Sequence, residues 1–298
     1  MGINMLSHFC KLKLFLGLLV ALVVALAGMG TVRAADHGDT PLLVSLARHD
    51  TRLAGSFAFV RDGNLVIAVT SDPTIPAAVT EYVFPTDVEF RIAIDNNSKV
   101  RFNDPEDLAK FGGTIVQPNK IKEDIFFKIT FNDDNEPKLR SNRPELVFSA
   151  MLFAGLRDDP FIRKPRIGRN IAAIVLELPL ATILNGQPTL LVWATAKAAG
   201  INGPFQDLAG RALRSMFPEN DLMNTLHPRK HFQNLGVPPD VIIFDTSLPA
   251  AFPNGRELTN DVVDLVGDPR VLANDGPPFP KKNDVKFLDG FPYLAPPQ

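Results

Sequence analysis

The chain has a single cysteine, Cys10, and this scarcity excludes several kinds of site. Beyond Cys10 there is no thiol for a nucleophile, a disulfide or a Cys-x-x-Cys-His haem attachment. The sequence also lacks a Gly-x-Ser-x-Gly elbow and a phosphate-binding glycine loop. An exported protein without disulfides must draw its stability from a large core, from proline-stiffened loops or from a bound ion.

Long apolar runs are equally scarce, and the one that is present lies near the beginning. Lys11 and Lys13 precede an apolar run from Leu14 to Ala27, and small residues follow up to Ala34. This order is typical of a signal peptide, and the run is shorter than the roughly 20 residues that span a bilayer. We therefore expect cleavage near Ala34, a periplasmic or secreted protein comprising residues 35–298, and no membrane span after leader removal.

Clustered positive charge is missing as well. Without the three basic residues of the leader, 28 lysines and arginines face 33 acidic side chains. The densest basic stretches, Arg163–Arg169 and Arg229–His231, are short. A surface that neutralises phosphates needs clustered lysine and arginine, so we expect no nucleic-acid partner.

Apolar and polar residues alternate with a period of two in several segments, which is typical of strands with one face in a core. Val88–Ile94 and Ile125–Phe131 show this most clearly, and each ends at a turn-like Asn/Asp stretch. Four more continuously apolar segments are strand candidates: Leu65–Thr70, Leu146–Phe153, Asn170–Leu178 and Leu190–Ala196. The sequence therefore predicts a mainly β protein, a β-sandwich core with long loops and a few short helices.

The texture changes after about residue 200. Short helices are predicted over Leu208–Phe217, Asp221–Leu235 and Glu257–Val266, the last with Leu258, Val262 and Leu265 on one stripe. Prolines crowd the segment 276–298, which we interpret as an extended tail anchored by Phe279, Phe287, Phe291 and Tyr293. Because no flexible linker separates these parts, we expect one domain over 35–298, with a helical extension over about 200–266.

Five segments, in the same order and spacing, resemble a family of exported bacterial proteins known only as domain of unknown function 4331. They are Phe153–Phe161, Asn170–Pro179, Val192–Thr195, Phe252–Asp264 and Phe287–Leu294. The resemblance covers most of the mature chain. It implies an exported protein. Because the family name records no activity, the resemblance does not indicate a function.

The front of the chain departs from that family. Its mature chains begin with a Ser-Ser-His-Arg-Glu-Ala-Pro type of motif, where this sequence has Ala35–Pro41, so His37 and Pro41 are kept and the arginine is not. Further on, Gly55 and Ser56 stand where the family has Thr-Asp. If the family uses those acids in a site, this chain lacks part of it.

Arg157, Asp158 and Asp159 follow one another at the end of a predicted strand, ahead of Pro160. Two adjacent carboxylates beside an arginine are suited to binding a cation or orienting a polar ligand. The alternative is structural: Arg157 pairs with a carboxylate and tethers a loop that Pro160 stiffens. The sequence leaves both open.

Asn260, Asp261 and Asp264 form a second acidic group, in which Asp261 and Asp264 share one face of a predicted helix. Such neighbours repel unless a positive group lies between them, so a bound Ca²⁺ is one reading. Pairing with Arg256, or plain exposure to solvent, is the other.

His37, flanked by Asp36 and Asp39, is a weaker candidate metal site near the new N-terminus. It draws attention because the family resemblance retains the histidine.

Three functions remain open at this point. The first is a non-catalytic binding or structural module for a partner protein, a polymer or an ion. The second is a redox accessory subunit that holds non-covalent haem through Met151, Met216 or Met223. The third is a divalent-metal-dependent hydrolase built on Asp158, Asp159, Asp261 and Asp264.

Overall fold

The computed structural model describes residues 37–161, 168–216, 218–267 and 282–298. The predicted leader, Asp36, Phe279 and the prolines of 276–281 lie outside these ranges. Twelve strands are present within them: β1 (Leu53–Arg61), β2 (Asn64–Ser71), β3 (Val88–Asp95), β4 (Val100–Arg101), β5 (Thr114–Ile115), β6 (Ile125–Phe131), β7 (Pro137–Ser141), β8 (Met151–Asp158), β9 (Asn170–Pro179), β10 (Thr189–Ala198), β11 (Asp207–Ala209) and β12 (Ile242–Asp245).

The helices in those ranges are few and short. The α-helices are α1 (Pro41–Ser45), α2 (Pro105–Phe111), α3 (Pro144–Ser149), α4 (Leu180–Ile183), α5 (Pro228–Leu235) and α6 (Val262–Val266). Three 3₁₀ helices span His49–Thr51, Pro118–Lys120 and Pro218–Thr225. None of these helices is long and apolar enough to cross a bilayer.

Two antiparallel sheets form the core of the fold. The first has the strand order β1-β2-β9-β8, and the second the order β11-β10-β3-β6-β7, with β12 also paired to β10; β4 and β5 form a separate small ribbon. Ile67 and Leu176 of the first sheet share one apolar cluster with Ile94 and Phe127 of the second. The sheets therefore enclose a common core, and the chain is a mainly β protein with a β-sandwich architecture.

The outer faces of both sheets are also covered, which explains why β2, β9 and β10 are buried along nearly their whole length. Phe57 and Val175 on the first sheet pack beneath Tyr293 and Leu294 of the C-terminal tail. Trp193 on the second sheet packs within a cluster that includes residues of the loops. Strands covered on both faces lose the polar alternation of an exposed sheet.

The structure corrects several predicted elements. The segment Leu146–Phe153 is divided, because α3 contains Leu146 and β8 begins only at Met151. Leu208–Phe217 is not a helix: Leu208 lies in β11, and turns follow as far as the described part extends. Asp221–Leu235 is interrupted, with a 3₁₀ helix ending at Thr225 and α5 starting at Pro228.

The predicted helix over Glu257–Val266 is reduced to α6, which has a single apolar turn. Leu258 and Val262 are buried, but Leu265 is 55% exposed, so the predicted stripe was wrong. The tail prediction fares better over 282–298, where the chain forms neither strand nor helix. Phe287, Phe291 and Tyr293 pack onto the first sheet as anchors.

Candidate functional site

Asp158, at the end of β8, fastens the C-terminal tail. Its side chain is fully buried and accepts hydrogen bonds from Asn283 Nδ2 at 2.5 Å and from Gln298 Nε2 at 2.7 Å. Its backbone N–H donates to the carbonyl of Ala295. Burial raises the pKa of Asp158 to about 6, although both side-chain hydrogen bonds act to lower it. Three hydrogen bonds therefore join Asp158 to the tail, two through its carboxylate and one through its backbone N–H.

Asp159 and Arg157 turn to different partners. Asp159 Oδ1 accepts the backbone N–H of Phe161 at 3.1 Å, and this shapes the turn at Pro160. The guanidinium of Arg157 lies 4.0 Å from the centre of the Phe153 ring and donates to the carbonyl of Leu156. Burial lowers the pKa of Arg157. These contacts fit the structural alternative, in which the residues tether the chain. The main hydrogen-bonding side chain is Asp158, however, and not Arg157.

Asn260 and Asp261 organise the loop before α6. Asn260 Oδ1 accepts the backbone N–H groups of Phe252 and Glu257, both at 3.0 Å. Asp261 is the N-cap of α6 and accepts from the N–H of Asp264 at 3.5 Å. Side-chain oxygen atoms of Asn260 and Asp261 thus accept hydrogen bonds from backbone N–H groups of the same loop and helix.

A cleft of about 640 Å³ opens beside this loop, between it and the C-terminal tail. Phe161, Leu258, Val262 and Tyr293 contribute apolar or aromatic surface, whereas Lys282, Lys286 and Asp289 contribute exposed charges. Arg61 and Glu257 form one wall through a two-fold hydrogen-bonded ion pair of 2.8 and 2.7 Å. Among the sequence candidates, Asn260 and Asp261 line this cleft, and Asp158, Asp159 and Asp264 do not.

His37 lies in a buried group that we call the N-terminal polar centre, together with Asp39, Thr40, Arg52, Asp207 and Ser215. His37 Nδ1 is 2.5 Å from Ser215 Oγ, and its Nε2 is 2.9 Å from Asp207 Oδ1. Thr40 donates to Asp207 Oδ1 at 2.7 Å, and the backbone N–H of Leu53 donates to Oδ2 at 2.8 Å. Asp39 forms an ion pair with Arg52, whose Nε donates to it at 2.9 Å.

This centre contains a serine, a histidine and an aspartate in hydrogen-bonded sequence, as a nucleophilic triad would. Ser215 is only 2% exposed, however, and it lines neither the cleft nor the smaller cavity described below. A nucleophile must reach its substrate, so this geometry serves instead to fix the segment from His37 to Thr40 against β11. Sequence reasoning missed Asp207 and Ser215, because both lie far along the chain from His37; Ser215 also falls in the segment Leu208–Phe217 that was predicted as helix.

The described residues bring together no group of three or more histidine, cysteine, aspartate or glutamate side chains that could hold a metal ion. Of the N-terminal metal candidates, His37 and Asp39 have the partners just named, and Asp36 lies outside the described ranges. The proposed haem ligands are scattered. Met223 is fully buried, Met216 packs in an apolar cluster with Phe161, and Met151 is 45% exposed.

Gly55 and Ser56, the positions of departure from the family pattern, lie in β1. Ser56 Oγ donates to the carbonyl of Gly210 at 2.6 Å, and the carbonyl of Ser56 accepts from Arg256. Ser56 therefore joins β1 to the turn after β11 and to Arg256, which lines the cleft.

No family model, no curated protein and no solved structure matches this chain. The resemblance to the domain of unknown function 4331 family accordingly stays an expectation drawn from the sequence. The remaining observations that bear on function are the chain's own cavities and contacts.

Proposed function

We propose that this chain is an exported, non-catalytic binding protein and that its cleft holds a segment of a partner protein. The observation that carries this proposal is the cleft itself, about 640 Å³ in volume. That volume falls within the range of roughly 300–1,000 Å³ that is typical of ligand sites. The leader-like N-terminus supports export to the periplasm, as does the resemblance to an exported family.

The chemistry of the cleft favours a protein partner. Leu258 and Val262 are buried side chains within its lining, whereas Lys282 and Lys286 are exposed. An apolar centre bordered by a charged rim is the usual anatomy of a protein–protein contact. We infer that one apolar side chain of the partner enters the cleft and that its polar neighbours meet the lysines.

The polar groups of the loop support a binding role over a catalytic one. Asn260 Oδ1 accepts hydrogen bonds from two backbone N–H groups, and Asp261 caps α6. The carboxylate of Glu257 is engaged by Arg61. These groups hold the wall of the cleft in shape, which a rigid binding site requires.

Site-directed photo-crosslinking in cells that export the protein tests this proposal. A photo-reactive phenylalanine derivative replaces Leu288, which lines the cleft and is 37% exposed. The matched control replaces Leu248, which is 57% exposed and lies outside the cleft. We expect a discrete adduct from position 288 alone, and mass spectrometry of that adduct to identify one recurring partner segment. The same adducts from both positions, or none from position 288, would overturn the proposal.

A further inference from the structure

A second, smaller cavity of about 330 Å³ lies against the β4–β5 ribbon and shares no lining residue with the cleft. Its walls are mostly apolar, with Ile115, Phe232, Val241 and Ile243 among them. We call it the arginine pocket, because one cationic side chain, Arg211, also lines it. An apolar cavity with a single cation on its wall has the general composition of a site for a small ligand.

The guanidinium of Arg211 is held between aromatic rings rather than by carboxylates. It lies 5.2 Å from the ring centre of Phe111 and 5.1 Å from that of Phe252. Phe111 reaches this position because α2 ends there, at Gly112 in the left-handed conformation. Contacts of this kind attract the cation to the rings and leave its N–H groups, which lie in the plane of the guanidinium, available to an acceptor.

Those N–H groups have no acceptor in the described part of the chain. Arg211 Nε is buried without a hydrogen-bond partner there, and no carboxylate within those ranges forms an ion pair with the guanidinium. The one hydrogen bond of the residue is made by its backbone N–H, which donates to Asp240 Oδ1 at 2.7 Å. Burial lowers the pKa of Arg211 to about 10, so the side chain stays charged at neutral pH.

A second arginine and a buried carboxylate lie near Arg211. Arg214 lies 5.3 Å from the Phe111 ring, donates to the carbonyl of Pro238, and has an Nε with no partner among the described residues. Asp240 is the carboxylate that attracts both arginines. Both arginines are half-buried; Asp240 attracts them, and Asp107 lines the same pocket as Arg211. A half-buried guanidinium whose Nε has no hydrogen-bond acceptor in the described chain has lost part of its hydration, and an anionic ligand would compensate for that loss.

We propose that the arginine pocket binds a small organic monocarboxylate, with the carboxylate on Arg211 and the apolar body against Ile115, Phe232 and Val241. Arginine is suited to this because its planar fork can donate two parallel hydrogen bonds to one carboxylate. At about 30 Å³ per water molecule, the cavity has the volume of about ten waters, which is enough for an acid of the size of benzoate. This inference stands independently of the cleft.

A carboxylate on the pocket wall restricts the charge of the ligand. Asp107 lines the cavity and its Oδ2 accepts a hydrogen bond from Thr114 Oγ1. A ligand with a second anionic group would place that group in an apolar cavity that already contains this carboxylate. Like charges at close range repel, so we expect the pocket to prefer monocarboxylates over dicarboxylates.

Calorimetry on the whole mature protein tests the proposal with three probes of similar shape. Benzoate is the monocarboxylate, benzamide its neutral counterpart, and terephthalate the dicarboxylate. We expect measurable binding of benzoate, together with a raised melting temperature, and affinities about tenfold or more weaker for the other two. Equal binding of benzamide and benzoate, or no benzoate binding at millimolar concentration, would overturn it.

Substitutions of Arg211 test whether this residue anchors the bound benzoate. Arg211→Gln is expected to weaken benzoate binding by about 10- to 100-fold, and Arg211→Lys, which keeps the charge but not the fork, by about tenfold. Arg140→Gln is the matched control, since Arg140 is an exposed arginine on β7, and it should leave the affinity unchanged. An unchanged affinity in Arg211→Gln, or in Arg211→Lys if the glutamine variant does not fold, refutes the assignment of Arg211 as the anchor.

Discussion

The N-terminal polar centre and the surroundings of the arginine pocket both contain charged side chains with buried polar atoms, yet they differ in how those atoms are satisfied. In the centre, Asp207 is 0% exposed, and both of its carboxylate oxygens accept hydrogen bonds. At the pocket and beside it, the Nε of Arg211 and that of Arg214 find no acceptor in the described chain, and Asp240 Oδ2 finds no donor there. Both carboxylate oxygens of Asp207 are thus satisfied within the chain, whereas the three atoms named for the second region are not satisfied by the described residues.

This difference separates two roles that burial alone does not distinguish. A buried polar group with all its hydrogen bonds made contributes to stability, and it becomes costly when one partner is removed. A half-buried guanidinium whose buried Nε has no partner lowers stability, and the ligand proposed for the pocket would account for its retention. Substitutions in the two regions should therefore change stability in opposite directions.

The largest effect is expected for Asp207→Ala. The change removes the acceptor of His37, of the Thr40 hydroxyl and of the Leu53 N–H at once, and all three are buried. We expect the free energy of unfolding to fall by about 4 kcal/mol, measured by urea denaturation. Asp133→Ala, at an exposed turn position, should change it by less than about 0.5 kcal/mol. A loss for Asp207→Ala as small as that of the control would show that the centre is not structural.

A smaller loss is expected for Arg52→Met, in the same centre. Arg52 is 1% exposed and forms the ion pair with Asp39, so methionine would leave that carboxylate buried without its main cation. Burial already raises the pKa of Asp39 against the opposing effect of Arg52. We expect a loss of about 3 kcal/mol at neutral pH in the same denaturation assay. Stability equal to that of the unsubstituted protein would contradict this.

The part of the fold that could be predicted from the sequence is the part governed by local alternation. In β6 the predicted alternation is the observed one, and in β3 it holds from Val88 to Ile92, after which Ala93 is buried as well. Phe90 pairs with Ile129 across the two strands. The first strand, β1, was not identified as an element from periodicity. Its signal was present in Asp62-Gly63, where both residues have positive φ and close a two-residue hairpin of the kind that Asp-Gly favours.

The part that could not be predicted depends on contacts between distant segments. Leu208–Phe217 has helix-forming residues, but a side chain on Gly210 would collide with the backbone at Asp240, so the chain passes too close there for a helix. The hydrogen bonds of Ser56 and Asp240 to this turn replace the helical ones. Tertiary contacts thus outweigh local propensity.

The candidate sites divide in the same way. The acidic residues at 158–159 and 260–264 could be found from the sequence because charged residues next to apolar runs are conspicuous. The role of Asp158 in fastening the tail depends on Asn283 and Gln298, which no spacing connects to β8. Arg211 gave no signal, since its unusual property is the lack of a partner, and only the arrangement of Phe111, Phe252 and Asp240 around it makes that visible.

The smallest effect, and the one of opposite sign, is expected for Arg211→Met. Methionine keeps the contact with Phe111 and the backbone hydrogen bond to Asp240, and it removes a half-buried charge whose Nε has no hydrogen-bonding partner in the described chain. We expect the ligand-free protein to gain about 1 kcal/mol in urea denaturation, whereas Arg52→Met loses stability. If Arg211→Met is destabilised as strongly as Arg52→Met, then Arg211 supports the fold and the contrast between the two regions fails. A gain in stability together with lost benzoate binding would instead identify Arg211 as a residue retained for its ligand at the expense of stability.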